Sequence, residues 1–328
     1  DEYLSPMVLK VQDHLSRIDQ KEEKGKARAV KLVHQTLDRI MRDTNFGFAQ
    51  FFGNSGQLSH QTDFFLKLVA KLQPETVCEV GFNAGHSLAD WIMGSDSVKH
   101  VYALDINAVP YTGVCLAFLD LLFPDRLRPT MGHSSFVIGI TAEKNPDLRC
   151  DLAYVDGWHS DDIPWLDLVR ISQLSHRSDD PRTTSVVMDD VVILSVRRGW
   201  DDLLQAEVLL NNTCTSFDLE QLVSAFERSV CVAQFDHARA SQYRTDPNIQ
   251  RRLDRAVHIS LTPFDDLQKN PASKFHLPLW QMQTERKGDV ALSPWPASKL
   301  FTYELLEGTQ GLGYQTMEKR WAQISEEL

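Results

Sequence analysis

Between Thr76 and Asp105 the chain reads as strand, glycine turn, helix and strand, and this unit limits what the remaining residues can build. Thr76-Val77-Cys78-Glu79-Val80 is short, apolar and partly β-branched, and Gly81-Phe82-Asn83-Ala84-Gly85 follows at once. The strand therefore stops in a turn where the main chain comes close to another group, and glycine, having no Cβ, permits that approach. Leu88, Trp91 and Ile92 then recur at helical spacing between His86 and Met93, and Gly94-Ser95 ends the run. The free N–H groups of that helix point at whatever occupies the turn. His100 to Leu104 is a second apolar run closed by Asp105. An acid at that place accepts hydrogen bonds from ribose hydroxyls, so the expected ligand carries a ribose.

The glycine spacing separates two kinds of ligand. Glu79-x-Gly81-x-x-x-Gly85 lacks the G-x-G-x-x-G order on which a pyrophosphate sits. A carboxylate at Glu79 would repel a pyrophosphate but suits an ammonium group and a sulfonium charge. The stretch resembles motif I of the class I S-adenosylmethionine-dependent methyltransferases. The alternative is an ordinary strand, turn and helix with a structural glycine pair.

With 328 residues, 42% hydrophobic and 24% charged, the chain can bury a substantial core. Its 45 acidic against 34 basic residues give a net charge of −11, which disfavours nucleic acid or an anionic membrane as partner and leaves small molecules. Cys78, Cys115, Cys150, Cys214 and Cys231 are odd in number and form no C-x-x-C pair, so buried free thiols in a reducing compartment are expected. No run reaches the length of a membrane span and no basic-then-apolar leader is apparent, so a cytoplasmic location is expected. Self-association stays open. Asn211-Asn212-Thr213 is a glycosylation sequon, which alone says little about compartment.

Residues 1–60 read as a helical extension or lid, with Met7, Val11, Leu15 and Ile18 on one stripe and Val30, Val33, Leu37 and Ile40 on another, divided by the charged run Lys21 to Lys26. An aromatic, glycine-rich segment from Asn45 to Asn54 is expected to be a packed connection or a flap. Residues 61–262 read as the main domain. Helices are expected over Thr62–Leu72, Tyr111–Phe123, Ser135–Thr141, Ile163–Leu174 and Trp200–Leu210, alternating with strands at Arg126–Pro129, Leu152–Val155 and Ser185–Met188. Val230–Ala233 and Ala256–Leu261 are the candidates for an antiparallel edge. The alternation predicts a doubly wound, mostly parallel, seven-stranded Rossmann-like α/β sheet. Residues 263–328 read as a C-terminal extension.

Two predicted strands end in acid: Asp156 after Val155, and Asp189-Asp190 after Met188. Neighbouring parallel strands end on one rim, where ligands bind in open α/β folds. Three carboxylates there repel one another unless a cation joins them, and Mg²⁺ or another hard divalent cation favours such oxygen ligands. The alternative for each acid is a helix cap or a solvated loop.

With these acids the chain resembles the metal-dependent O-methyltransferases of the catechol type and their macrolide-sugar relatives, over roughly residues 76 to 195. The resemblance implies S-adenosylmethionine contacts at Glu79, Gly81, Phe82, Asn83, Gly85, Ser87, Asp105, His133, Ser134 and Asp156, and metal ligands at Asp156, Asp189 and Asp190. Catechol-type enzymes have asparagine where this chain has Asp190; the sugar-modifying relatives have Asp-Asp. Three residues beyond the first metal acid the catechol enzymes carry a lysine base, whereas this chain has His159, similar to the sugar enzymes. Histidine, with a reference pKa of about 6.5, suits a base near neutral pH. The implied activity is methyl transfer to a hydroxyl of a small molecule: sugar, polyol or natural product. The alternatives are a methyltransferase-like scaffold without catalysis, an N-methyltransferase, and a nicotinamide oxidoreductase, the last disfavoured by Glu79.

Overall fold

Strands buried on both faces of a parallel sheet need short, continuous apolar runs, and the runs identified above supply them. The computed structural model describes residues 4–44, 59–106, 110–217 and 228–268. Its strands are β1 (Thr76–Val80), β2 (His100–Asp105), β3 (Leu127–Met131), β4 (Leu152–Val155), β5 (Ser185–Met188), β6 (Leu209–Phe217) and β7 (Arg228–Phe235). They form one sheet in the order β3-β2-β1-β4-β5-β7-β6. The first five are parallel, and β7 runs antiparallel to both β5 and β6. This is the expected doubly wound α/β fold with an antiparallel edge. The strand order reverses between β1 and β4, which opens a crevice at their carboxyl ends.

Alternate residues of each strand face opposite layers. Val77 joins a core with α1 (Leu4–Ser16), α2 (Glu23–Thr44), α3 (Ser59–Leu72), α4 (His86–Gly94) and α5 (Pro110–Leu122). Cys78 and Val80 join a second core with α6 (Ser134–Lys144), α7 (Ile163–Ile171), α8 (Leu194–Gln205), α9 (His237–Thr245) and α10 (Pro247–Gln268). The predicted stripes of α1 and α2 are buried at Met7, Val11, Val30, Val33, Leu37 and Ile40, in the same core as Trp91 and Leu119. Each such side chain contributes about 1.5–3 kcal/mol by leaving water, which holds these helices on the sheet. The Asn45–Asn54 segment and residues 269–328 of the C-terminal extension lie outside the described residues, while residues 263–268 complete α10.

Two expectations at the sheet's far edge are corrected. The helix expected over Trp200–Leu210 ends at Gln205, and Leu209 opens β6. Ala256–Leu261, expected as a strand, lies inside α10. Pro247 takes the first helical position, where its missing N–H costs nothing, and Asp246 Oδ1 accepts from the Asn248 N–H at 2.7 Å. Leu253 and Ala256, three apart, then bury one face against the second core. Arg252 fastens the helix: it pairs with Asp162 at 2.8 Å and Asp202 at 2.6 Å, and its guanidinium lies 4.0 Å from the centre of the Trp165 ring.

The cysteines are also corrected. Cys78 of β1 is bonded to Cys150, just ahead of β4, and Cys214 of β6 to Cys231 of β7, leaving only Cys115 free and buried. Strand adjacency makes both pairs, across separations of 72 and 17 residues that carry no motif. Closing the longer loop restricts the unfolded chain by about 4 kcal/mol on the chain-entropy model. The premise of free thiols, and with it the case for a reducing compartment, is removed. Among the described residues no helix is long and apolar enough to cross a membrane.

Candidate active site at the carboxyl ends of the strands

The turn after β1 is built by contacts within the protein. Gly81 has φ of +92°, and a Cβ there would lie 1.9 Å from the carbonyl oxygen of Asp156. Its N–H donates to the Leu104 carbonyl at 2.8 Å, so the ends of β1, β2 and β4 are drawn together. Gly85 has φ of +82°, and a Cβ there would meet Leu119 at 2.5 Å and the Phe82 ring at 2.7 Å. Phe82 is buried beneath the turn. Both glycines are thus required by neighbouring protein atoms, whatever ligand the turn holds.

Asp105 reaches the turn as expected, and its Oδ2 accepts from the Asn83 N–H at 2.8 Å. Asn83, at φ +51°, accepts from the Tyr111 hydroxyl at 2.8 Å. Glu79 is fully buried in β1; Ser87 donates to its Oε1, while Oε2 has no hydrogen-bond partner. Burial, with Asp156, Asp90 and Asp105 nearby, pushes the Glu79 carboxyl well above its ordinary range. A cationic or donating group at Oε2 would relieve a cost of about 1–3 kcal/mol for an unpaired buried acceptor.

The next loop adds a polar wall. Gly132 donates to the Asp105 carbonyl at 2.7 Å, and His133 caps α6, its Nδ1 lying 2.8 Å from the Ser135 hydroxyl. Burial pushes His133 down to about 4, so its ring is neutral at physiological pH. Ser134 opens α6 and faces Asp167 of α7, whose carboxyl burial pushes up to about 7. Asp167 also presses on the β4 loop, its Oδ2 lying 2.7 Å from where a Cβ on Gly157 would stand.

At the ends of β4 and β5, Asp156, His159 and Asp190 bring one ligand atom each within 4.8 Å of one another. His159 Nε2 is 3.4 Å from Asp156 Oδ1 with no aligned hydrogen bond, and its Nδ1 is 3.8 Å from Asp190 Oδ2. Burial disfavours the charged ring, but Asp156 and then Asp190 outweigh it, so the His159 pKa is raised. Burial and Asp156 likewise raise Asp190, which sits at φ +52°. The Ser195 hydroxyl, at the start of α8, donates to the His159 carbonyl and holds the loop.

Asp189 stands apart from that trio. Its Oδ2 accepts from Gln61 Nε2 at 2.7 Å and from the Tyr154 hydroxyl at 2.8 Å, and its Oδ1 accepts from the Asp190 N–H at 2.8 Å. Tyr154 also lies 3.2 Å from Asp156 Oδ2, so one phenol proton is shared between two acids. Burial, then Asp156 and Asp190, raises the Asp189 pKa. Gln61 and Tyr154 join the site without a place in the motifs of the sequence. Tyr154 had a signal, because it lies two positions before Asp156 and so on the same strand face. Gln61, on α3, had none.

Exposed apolar side chains flank the acids: Trp158 next to Gly157, and Val192, Ile193 and Leu194 just beyond Asp190. The Ser195–His159 bond ties together the two segments that carry them.

No protein-family model matches the chain, and no curated protein matches it. Among solved structures it is similar to an O-methyltransferase from Bacillus cereus in complex with SAH, at 16% identity and a TM-score of 0.49, covering 62% of this chain and 91% of that one. It is also similar to the O-methyltransferase TomG from Streptomyces achromogenes, involved in tomaymycin synthesis and in complex with SAM, at 15% identity and a TM-score of 0.48, covering 62% and 89%. A further similar structure is a putative caffeoyl-CoA O-methyltransferase from Staphylococcus aureus, at 14% identity and a TM-score of 0.43, covering 62% and 94%.

Proposed function

We propose that the protein transfers a methyl group from S-adenosylmethionine to a hydroxyl of a small molecule, with a divalent cation and a histidine base. The observation that carries the reading is the convergence, at one crevice, of the Glu79–Gly85 turn, Asp105, and the Asp156, His159 and Asp190 trio. Glu79 Oε2, a buried acceptor without a partner, fits a positively charged amino acid moiety, and Asp105 beside the turn fits a ribose. S-adenosylmethionine would supply an electrophilic methyl on sulfur.

The two carboxylates fit a cation by their donor chemistry, and they share their space with a His159 ring nitrogen that is buried without an aligned partner. Asp156 and Asp190 would hold Mg²⁺ or a similar ion, which lowers the pKa of a bound hydroxyl. Asp189, gripped on both oxygens, supports Asp190 and adds negative charge behind it. His159 faces the same space, 3.4 Å from Asp156 and with its Nε2 unengaged, so it takes the acceptor's proton as the new O–C bond forms. Such help is typically worth about 10²- to 10⁴-fold. Trp158 and Leu194 give the acceptor an apolar wall, suited to a sugar face or the ring of a natural product.

The test is methyl transfer from donor labelled in its methyl group to a panel of catechols, diols, glycosides and amines, followed by mass spectrometry. Label on hydroxyl oxygen is expected. Transfer confined to amines would refute the hydroxyl assignment, and no transfer to any acceptor despite tight donor binding would favour a scaffold.

A further inference from the structure

We propose that Asn211 is a site of N-linked glycosylation and that the glycan shields the free edge of the sheet. Asn211-Asn212-Thr213 is the chain's one Asn-x-Ser/Thr triplet, and the middle residue is not proline. A sequon is often buried or cramped, but this one lies on the outermost strand, β6, with Asn211, Asn212 and Thr213 all exposed. The pairing of β6 with β7 shifts register between Leu210 and Thr213, and Asn211 takes φ of +56° there. The bulge lifts the amide out of the ladder; its Nδ2 donates to Oε1 of the half-buried Gln234 at 2.7 Å.

The two disulfides supply an independent reason. Cys78–Cys150 and Cys214–Cys231 persist in an oxidising compartment, and the second begins one residue after the sequon. The same compartment in a eukaryotic cell holds the transferase and its lipid-pyrophosphate-linked oligosaccharide. In the reaction the Asn211 amide nitrogen bonds to C1 of the first sugar and loses one proton. The C1–O bond to the pyrophosphate breaks, and the lipid pyrophosphate leaves with the electron pair.

Position and chemistry agree with a protective role. Along β6 the side chains from Leu210 to Ser216 are exposed or half-exposed, and the strand's outer edge is unpaired within the described residues, an arrangement that invites association edge to edge. Leu209 pairs with Phe235, and Ser185, the first residue of β5, pairs with Gln234, so Asn211 lies level with the amino ends of the parallel strands. The proposed active site is at the opposite ends, and a glycan at Asn211 leaves it open.

The test is to translate the full chain behind a cleavable secretion signal in the presence of microsomes, and to secrete the same chain from a eukaryotic host. Wild type is expected to carry a glycan that peptide-N-glycosidase removes, converting Asn211 to aspartate in the mapped peptide. Asn211→Gln and Thr213→Ala are expected to abolish the modification, and Thr213→Ser to keep it. Microsomal or secreted chain with its disulfides formed but Asn211 unmodified would overturn the proposal, as would modification that survives Asn211→Gln.

Discussion

Gln61 Nε2 donates to Asp189 Oδ2 at 2.7 Å across 128 positions of sequence, joining α3 to the end of β5. With Tyr154 on the same oxygen and the Asp190 N–H on the other, Asp189 is committed to the protein, while Asp156 and Asp190 face the space shared with His159. The two kinds of acid should therefore respond differently to mutation. Asp156→Ala and Asp190→Ala are expected to abolish binding of Mn²⁺, followed by calorimetry or paramagnetic resonance. Asp189→Asn and Gln61→Leu should weaken it by about 10- to 100-fold, the usual effect of groups that orient ligands. Loss of binding in Asp189→Asn equal to that in Asp156→Ala would return Asp189 to the direct ligands.

His159→Ala is expected to lower kcat by about 10²- to 10⁴-fold while changing donor affinity little, with the loss easing at high pH as hydroxide takes over. A cation held partly by the imidazole would give another pattern: metal affinity would fall together with rate. Full rate at neutral pH would assign the base to another group.

Asp167 gives a pH test that does not depend on turnover. Its folded pKa of about 7 lies above the ordinary carboxylate value of 3.8, so the folded protein binds more protons than the unfolded one between these limits. Its contribution is therefore fully present below about pH 3.8 and lost as pH rises through 7, by up to about 4 kcal/mol at 1.36 kcal/mol per unit. Asp167→Asn is expected to flatten that decline and to be relatively more stable than wild type at pH 8 than at pH 5, by urea unfolding. An unchanged slope would contradict the assignment.

Arg252→Ala should cost about 1–3 kcal/mol in the same assay, since it removes a guanidinium stacked on Trp165, breaks the pair with Asp202 and leaves Asp162 only the looser Arg255 at 3.9 Å. No change would show that α10 is held by Leu253 and Ala256 alone.

The parts of the fold visible in the sequence are those where burial writes a pattern. β1, β4 and β5 are buried apolar runs, and the bounds that the runs predict are those of the strands. β6 is exposed over most of its length and carries Asn211 and Asn212, poor strand formers, so no alternation marked it. The β-branched residues after Ala256 resembled a strand, yet the faces that α7 and α8 offer to Leu253 and Arg252 made a helix. The spacing of the turn's glycines predicts close approach to a ligand; Asp156, Leu119 and Phe82 supply the nearer reason. The cysteine pairs and Gln61 depend on strand order and helix placement, which no local spacing encodes.

The central claim is tested most directly by titrating S-adenosylmethionine and, separately, NAD into the protein by calorimetry, with Mg²⁺ and with chelator. S-adenosylmethionine is expected to bind in the micromolar range, about −8 kcal/mol, with chelation altering it little, with Asp105→Ala weakening it by about 1.5–3 kcal/mol, and with no heat from NAD. Binding of NAD, or no binding of S-adenosylmethionine by the folded protein, would contradict the account.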